Sequence, residues 1–271
     1  MPYISANGIK LSYERAGEGT PFILHAHHHN KYMPFQLPYF SQFYDVIVPD
    51  RRGTGRSDEP PGPWSAADLA ADLKGLMDAL GIEKAIVGGN SLGGVVSAQF
   101  GLDYPERTHA LIVGHTVPYL WPLGEAWLAH QIEAVRGHKP VIVNQPRSYE
   151  WEEDGPPTLD PAFLASMPGQ FIATLSKGIG GTVDGAIASL GVLQQWDQRP
   201  RYPEHRALDV PVLVIVGGNE PQKTIELSHE WSQQFKRADF VILPNTHHDA
   251  GNENPLAWNA AVHGFLQRNG F

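Results

Sequence analysis

The chain has 271 residues, with 20 basic and 29 acidic side chains for a formal charge of −9; 42% of it is hydrophobic, 10% aromatic and only 18% charged. Such a composition supports one large domain with a substantial core and argues against disorder, and the negative charge, with no basic cluster to offset it, disfavours a nucleic-acid or membrane partner. With no cysteine there is no disulfide framework, iron–sulfur site or thiol nucleophile, and with no signal pattern at the N-terminus and no apolar run of transmembrane length a cytoplasmic location is expected.

Residues 3 to 15 read as two short strands around a turn at Asn7-Gly8, a hairpin signal. Pro21 to Ala26 is an apolar run suited to a buried strand, and it ends in His27-His28-His29. A helical patch from Tyr32 to Tyr44 follows, then a second buried strand, Asp45 to Pro49, and the loop Asp50-Arg51-Arg52-Gly53-Thr54-Gly55-Arg56-Ser57. Ser65-Ala66-Ala67-Asp68 has the form of a capping box. Behind it Leu69, Leu73, Leu76, Met77 and Leu80 share one helical face, and Gly81 stops the helix.

Ala85-Ile86-Val87 is a strand leading into Gly89-Asn90-Ser91-Leu92-Gly93, and a helix leads out toward Tyr104. A strand is predicted over His109 to Val113. Later come a strand at Val210 to Val216, a helix at Thr224 to Phe235, a strand at Phe240 to Leu243 and a helix at Pro255 to Arg268. Strand and helix alternate, which predicts a mainly parallel sheet covered on both faces. Val117 to Pro203 breaks the rhythm: it is rich in Pro and Trp and offers no clear buried strand. The predicted organisation is therefore a core of residues 1–116 and 204–271 around an inserted, mostly helical cap of residues 117–203. Its tryptophans, Trp121, Trp127, Trp151 and Trp196, either line an apolar pocket or pack the cap itself; Trp121 and Trp127 are the candidates for contact with a substrate.

Gly89-x-Ser91-x-Gly93, between a strand and a helix, is the pattern of a nucleophile elbow. To project a hydroxyl above the end of a sheet the chain must reverse within a few residues and hold Ser91 at a strained backbone angle. The flanking residues then come too close for a side chain, so glycine fits there. The helix points its N-terminal N–H groups at the same spot. Ser91 is thus the candidate nucleophile.

A serine hydroxyl needs a base to take its proton, and the base needs an orienting acid. After the strand ending at Val216, Glu220 is the one carboxylate in Gly217-Gly218-Asn219-Glu220-Pro221, whereas the turn after the preceding strand, Gly114-His115-Thr116-Val117, has no acid. After the last strand, Leu243-Pro244-Asn245-Thr246-His247-His248-Asp249 offers two adjacent histidines, of which only one can reach Ser91. No metal is expected: consecutive histidines cannot all face one ion, and neither H-E-x-x-H nor H-x-H-x-D-H is present.

On these residues the chain resembles the serine hydrolases of the α/β-hydrolase fold over nearly its whole length, closest in style to small esterases, enol-lactonases and acyl-homoserine lactonases. The family's Gly-x-x-acid-Pro segment is matched by Gly217 to Pro221, with Glu220 where Asp is usual. Its histidine lies four residues after a proline and five before a Glu-Asn-Pro, spacings met by Pro244, His248 and Glu253-Asn254-Pro255, which selects His248 over His247. The Asp-x-Arg-Gly-x-Gly-x-Ser loop is matched by Asp50 to Ser57 and is taken as structural. The departure is at the family's His-Gly-x, which here is His27-His28-His29. A backbone donor does not depend on its side chain, so the resemblance implies an oxyanion hole from the Leu92 N–H and that of His28, or else His27.

The resemblance also implies an α/β-hydrolase fold with an inserted helical cap, a Ser91–His248–Glu220 triad, and cleavage of a carboxylic ester or lactone through an acyl-enzyme. No cofactor is implied, and the partner is a small-molecule substrate, mid-sized and hydrophobic or aromatic if the cap chooses it. The alternatives are a C–C bond hydrolase or cofactor-free oxygenase on the same fold, and a hydrolase-like ligand receptor. Epoxide and haloalkane hydrolases would need an Asp in place of Ser91.

Overall fold

The computed structural model describes residues 2–25, 35–136 and 182–271. His27, His28, the start of the predicted 32–44 helix, Trp151 and the polar turn at 152–156 lie outside the described residues.

Runs of branched apolar residues form the strands: β1 (Tyr3–Ala6), β2 (Ile9–Ala16), β3 (Pro21–His25), β4 (Asp45–Pro49), β5 (Ala85–Asn90), β6 (Thr108–Gly114), β7 (Val212–Gly217) and β8 (Ala238–Leu243). Among the described residues they make one sheet in the order β1-β2-β4-β3-β5-β6-β7-β8. The β1–β2 and β2–β4 pairs are antiparallel and the rest parallel. The β1–β2 turn places both Asn7 (φ 48°) and Gly8 (φ 77°) in the left-handed region, as a two-residue hairpin turn requires.

Among the described residues the helices are α1 (Gln36–Phe40), α2 (Ala66–Leu80), α3 (Leu92–Asp103), α4 (Pro122–Arg136), α5 (Val183–Gln194), α6 (Tyr202–Ala207), α7 (Gln222–Ser232), α8 (Ala250–Glu253) and α9 (Pro255–Arg268). Because successive strand residues face opposite sides, each central strand feeds two cores. Ile23, Ile47, Val87, Leu111, Val113, Val212 and Val214 pack with Leu69, Leu73 and Leu76 of α2 and Val95 and Val96 of α3. Their neighbours Phe22, Leu24, Val46, Ile86, Ile112, Leu213 and Ile215 pack with Trp258, Val262 and Phe265 of α9. This is the two-sided cover that continuous apolar strands demand.

The differences from the sequence reading lie at element ends. Within the described part of the predicted 32–44 helix, only Gln36–Phe40 is helix. Phe40 and Tyr44 mimic helical spacing, but both are there to pack edge-on against Phe22. β7 starts at Val212 instead of Val210, because Pro211 has no N–H to give a sheet.

Between β6 and β7 the chain leaves the sheet and returns at one place. Gln198 donates its N–H to Pro118 at 2.7 Å, Trp196 Nε1 donates to the Val117 carbonyl at 2.7 Å, and Tyr119 bridges Asp197. Beyond that neck α4 and α5 pack on each other through Leu128, Ile132, Val135, Ala186 and Leu190, a small core separate from the two on the sheet. Among the described residues no strand joins the sheet from this region, and no helix is long and apolar enough to cross a membrane.

Candidate active site

Ser91 stands between β5 and α3 with φ 55° and ψ −121°, a conformation costly for any residue with a Cβ. The sharp reversal explains the flanking glycines. A Cβ on Gly89 would come within 2.6 Å of the His25 carbonyl oxygen, and one on Gly93 within 2.5 Å of the same atom. The turn is fixed from the sheet side by the Ser91 N–H, which donates to the Gly114 carbonyl of β6 at 2.8 Å. At the start of α3 no side chain caps the helix and no acid sits in the first turn. The Leu92 N–H belongs to that turn, whose donors have no acceptor within the helix.

Glu220, in the turn between β7 and α7, and His248, in the loop after β8, approach from the neighbouring strand ends. His248 Nδ1 lies 3.3 Å from Glu220 Oε2. His247 is held elsewhere: its ring Nδ1 lies 3.0 Å from Glu253 Oε2, and its backbone N–H donates to the same oxygen at 2.7 Å. Of the two histidines, it is therefore His248 that meets the acid. Ser91, Glu220 and His248 line one cavity of about 130 Å³, outside the carboxyl ends of the parallel strands, where open α/β sheets offer their binding crevice.

The electrostatics of the pair follow from enclosure and charge. Burial acts to raise the Glu220 carboxyl, but the His248 charge and the hydrogen bonds from His115 and His248 overcome it and hold the group well below the carboxylate range. Burial likewise acts to lower His248, and the charge and hydrogen bond of Glu220 more than reverse this, with Asp249 and Glu253 adding to the rise. The two groups stabilise each other's ionised form, which is the relation a base and its orienting acid need.

Two residues in this site carried no sequence signal. His115, at the turn after β6 where no acid stands, points its Nδ1 to within 2.6 Å of Glu220 Oε1 and is fully buried. Asp249, next to His248, is pushed up to about 6 by burial, against the Asn252 amide and the nearby His115 and His248. The ligating atoms of His115, Glu220 and His248 all lie within 4.8 Å of one another. Yet 2.6 Å between His115 Nδ1 and Glu220 Oε1 is hydrogen-bond length, shorter than the roughly 3.3 Å between two ligands of a tetrahedral zinc. At that separation the His115 and Glu220 atoms meet as hydrogen-bond partners.

The tryptophans divide. Trp121 and Trp127 line the cavity together with Val117, Leu120, Leu123 and Leu193. Trp196 is buried in the core, edge-on to Trp231. The backbone donors of His27 and His28 fall outside the described residues, as does Trp151.

Comparison with known proteins agrees with this architecture. The chain is 28% identical over 235 residues to 3-oxoadipate enol-lactonase 2 of Acinetobacter baylyi, covering 86% of this chain and 82% of that one. The solved enol-lactonase of Burkholderia xenovorans superposes with a TM-score of 0.80 at 25% identity, over 98% of this chain and 100% of the other. A thermophilic esterase of Thermogutta terrifontis gives a TM-score of 0.77, also at 25% identity, over 100% and 99%. Residues 22–255 match the family model described as the alpha/beta hydrolase fold. With the elbow, the sheet order and that match together, the chain belongs to the alpha/beta hydrolase fold family.

Proposed function

We propose that the chain is a serine hydrolase that cleaves a small-molecule carboxylic ester or lactone through an acyl-enzyme. The observation that carries this reading is the meeting of Ser91, His248 and Glu220 at one cavity, with Glu220 against the Nδ1 side of the His248 ring. With Nδ1–H donated to Glu220, Nε2 is left as the basic nitrogen of the neutral imidazole. His248 takes the proton as Ser91 Oγ attacks the carbonyl carbon. The carbonyl electron pair moves onto oxygen, and the Leu92 N–H at the start of α3 stabilises that oxyanion together with a backbone N–H of His28 or His27. Collapse expels the alkoxide, which receives the proton from His248. Water then repeats the sequence on the acyl-enzyme with His248 again as base, and Ser91 is released.

Several observations support the choice of substrate class. The relatives include enol-lactonases and an esterase. Among the described residues, Val117, Leu120, Trp121, Leu123, Trp127 and Leu193 give one side of the cavity an apolar wall, and no Lys or Arg lines it. That wall suits a hydrophobic or aromatic acyl or alcohol portion. In this reading α4 and α5, both within the proposed cap of residues 117–203, wall one side of the substrate site.

The test is turnover of a short-chain p-nitrophenyl ester and a panel of lactones by the wild type and by Ser91→Ala. Activity that disappears in the folded mutant supports the proposal, and the best lactone narrows the substrate. If the wild type cleaves nothing, or the mutant is as active, the reading falls, and C–C bond hydrolysis or ligand reception moves ahead.

A further inference from the structure

His115 is an unusual residue for its position. It follows the last residue of β6 with φ 51°, in the left-handed region that is strained for a residue with a Cβ. Its side chain is fully buried, and its Nε2 has no hydrogen-bond partner among the described residues. A turn chosen for stability alone would favour Gly or Asn at such an angle and would not bury a half-satisfied ring. When strain and an orphaned polar atom coincide at a pocket wall, the argument runs from the outlier toward function.

The backbone around His115 ties the site together. The Gly114 carbonyl accepts the Ser91 N–H at 2.8 Å, and the His115 N–H donates to the Ile215 carbonyl of β7 at 2.8 Å. The residue is thus anchored to the elbow on one side and to the strand that carries Glu220 on the other. Its ring then places Nδ1 at 2.6 Å from Glu220 Oε1, while His248 uses Oε2 at 3.3 Å. A backbone donor, the Gly217 N–H, reaches Oε1 only at 3.5 Å, a long contact beside that of His115. A glutamate has one more rotatable bond than an aspartate and needs a second anchor to present one fixed oxygen to a histidine.

We infer that His115 is a positioning residue: it clamps Glu220 through Oε1 so that Oε2 stays on His248. This rests on the serine-hydrolase reading for its consequence in catalysis, but the clamp itself is a statement about Glu220 and His248. Among the described residues, the titratable groups facing His248 include Glu220 from the β7 turn, His115 from the β6 turn, and Asp249 and Glu253 from its own loop and α8. Enclosure alone lowers His248 and Glu220 lifts it, so a loosened Glu220 lets the histidine fall.

The experiment compares His115→Leu with His115→Asn, whose amide nitrogen stands where Nδ1 stood and whose backbone tolerates a positive φ. Expected for His115→Leu is a kcat lower by about 10- to 100-fold with KM within about twofold; His115→Asn keeps kcat within about threefold. In a Glu220→Gln background His115→Leu should cost almost nothing further, the non-additivity of two residues acting as one unit. The titration of His248 followed by NMR should fall in His115→Leu and stay put in His115→Asn. That measurement needs no turnover, so it judges the clamp even if Ser91→Ala shows the hydrolase reading to be wrong. A His248 titration unmoved or raised in His115→Leu, a loss in His115→Asn as large as in Leu, or additive losses with Glu220→Gln would each overturn the inference. Should His115→Leu not fold, the titration and kcat of His115→Asn decide alone: a shift or a loss beyond about tenfold there refutes a clamp made by that nitrogen position.

Discussion

Helices α2 and α3 pack side by side, yet they begin in opposite ways. At the start of α2, Ser65 is extended and its hydroxyl accepts the Asp68 N–H, while the Asp68 carboxylate accepts the Ser65 N–H at 2.8 Å. The helix closes at Gly81 in the left-handed conformation. Two of its N-terminal donors, the Ser65 and Asp68 N–H groups, are satisfied by the box itself, and the gain is stability. At the start of α3, the serine in the same position is held at φ 55° and caps nothing. No side chain takes up the first donors there, and the backbone stays strained. One helix start serves the fold; the other gives up stability and, in the proposed function, leaves its donors for an oxyanion. The histidines divide likewise: His205 is buried with both ring nitrogens bonded, to the Arg201 carbonyl and to the Trp231 indole, whereas His248 is tied to Glu220 at the cavity wall.

The largest expected effect breaks the α3 side of this comparison. Ser91→Gly removes the proposed nucleophile and also relieves the strained angle. Activity on the best ester or lactone should drop by about a thousandfold or more. Thermal unfolding should shift upward, because strain of about 1–3 kcal/mol exceeds the roughly 0.5–1 kcal/mol entropic cost of glycine. A less stable Ser91→Gly protein would mean that the elbow stores no strain. Next is Glu220→Gln, which keeps shape and removes charge. A kcat loss of about 10³–10⁴-fold is expected, with a displaced acid limb in kcat/KM. The base works only when neutral, and Glu220 holds His248 above its ordinary range, so the wild-type limb should lie above pH 6.5. In the mutant burial prevails over what Asp249 and Glu253 supply, and the limb moves down. A limb that stays in place would separate Glu220 from His248.

A smaller effect tests the structural histidine. Burial lowers His205 to about 4, against the Arg201 carbonyl that accepts from its ring. Unfolded, it takes up a proton at its ordinary value of about 6.5. The unfolded state therefore binds more protons between those values, and stability is lost as pH falls through that window. The loss is on the order of 3 kcal/mol for this one group. Urea unfolding from pH 7.5 to 4.5 should show it, and His205→Gln should flatten the slope even as it lowers stability at neutral pH. His25, buried and lowered to about 3, adds to the same trend from about 6.5 downward and extends it to lower pH. An equal slope in His205→Gln would assign the acid sensitivity to other groups.

What was legible in the sequence was local. The strands announce themselves as apolar runs because a sheet covered on both sides wants no polar face, and the elbow because its two glycines and serine lie within five residues, even though the atom both glycines make room for, the His25 carbonyl, is on another strand. Glu220 and His248 come from short patterns at strand ends, and the structure brings them together. His115 carries no local signal, because in sequence the turn after β6 reads only as a turn without an acid. Its meaning arises only when two strand ends 105 positions apart in the chain are set side by side. Asp249 was equally silent, since its raised carboxyl is a product of enclosure and not of neighbours in sequence. The ends of α1 and β7 moved for a similar reason: Tyr44 was needed against Phe22, and Pro211 withholds an N–H.

The smallest effect completes the comparison from the α2 side. Ser65→Ala removes the hydroxyl that accepts the Asp68 N–H and leaves that donor to water, since this end of the helix is exposed. The usual cost of losing such a cap is about 1 kcal/mol. For a chain of this length that is a fall in Tm of about 2–4 °C. Asp68 also sits near Arg52, whose guanidinium is held by Asp72 at 2.6 Å, so the capping acid keeps a favourable neighbour and the helix should not unravel. Activity should be unchanged, because nothing at this end touches the cavity wall. The pair of serines then gives a clean opposition: the alanine at 65 costs stability and no turnover, and the glycine at 91 costs turnover and no stability. If Ser65→Ala lowered kcat instead, α2 would be coupled to the elbow through its packing on α3, and the two helix starts could no longer be treated as independent.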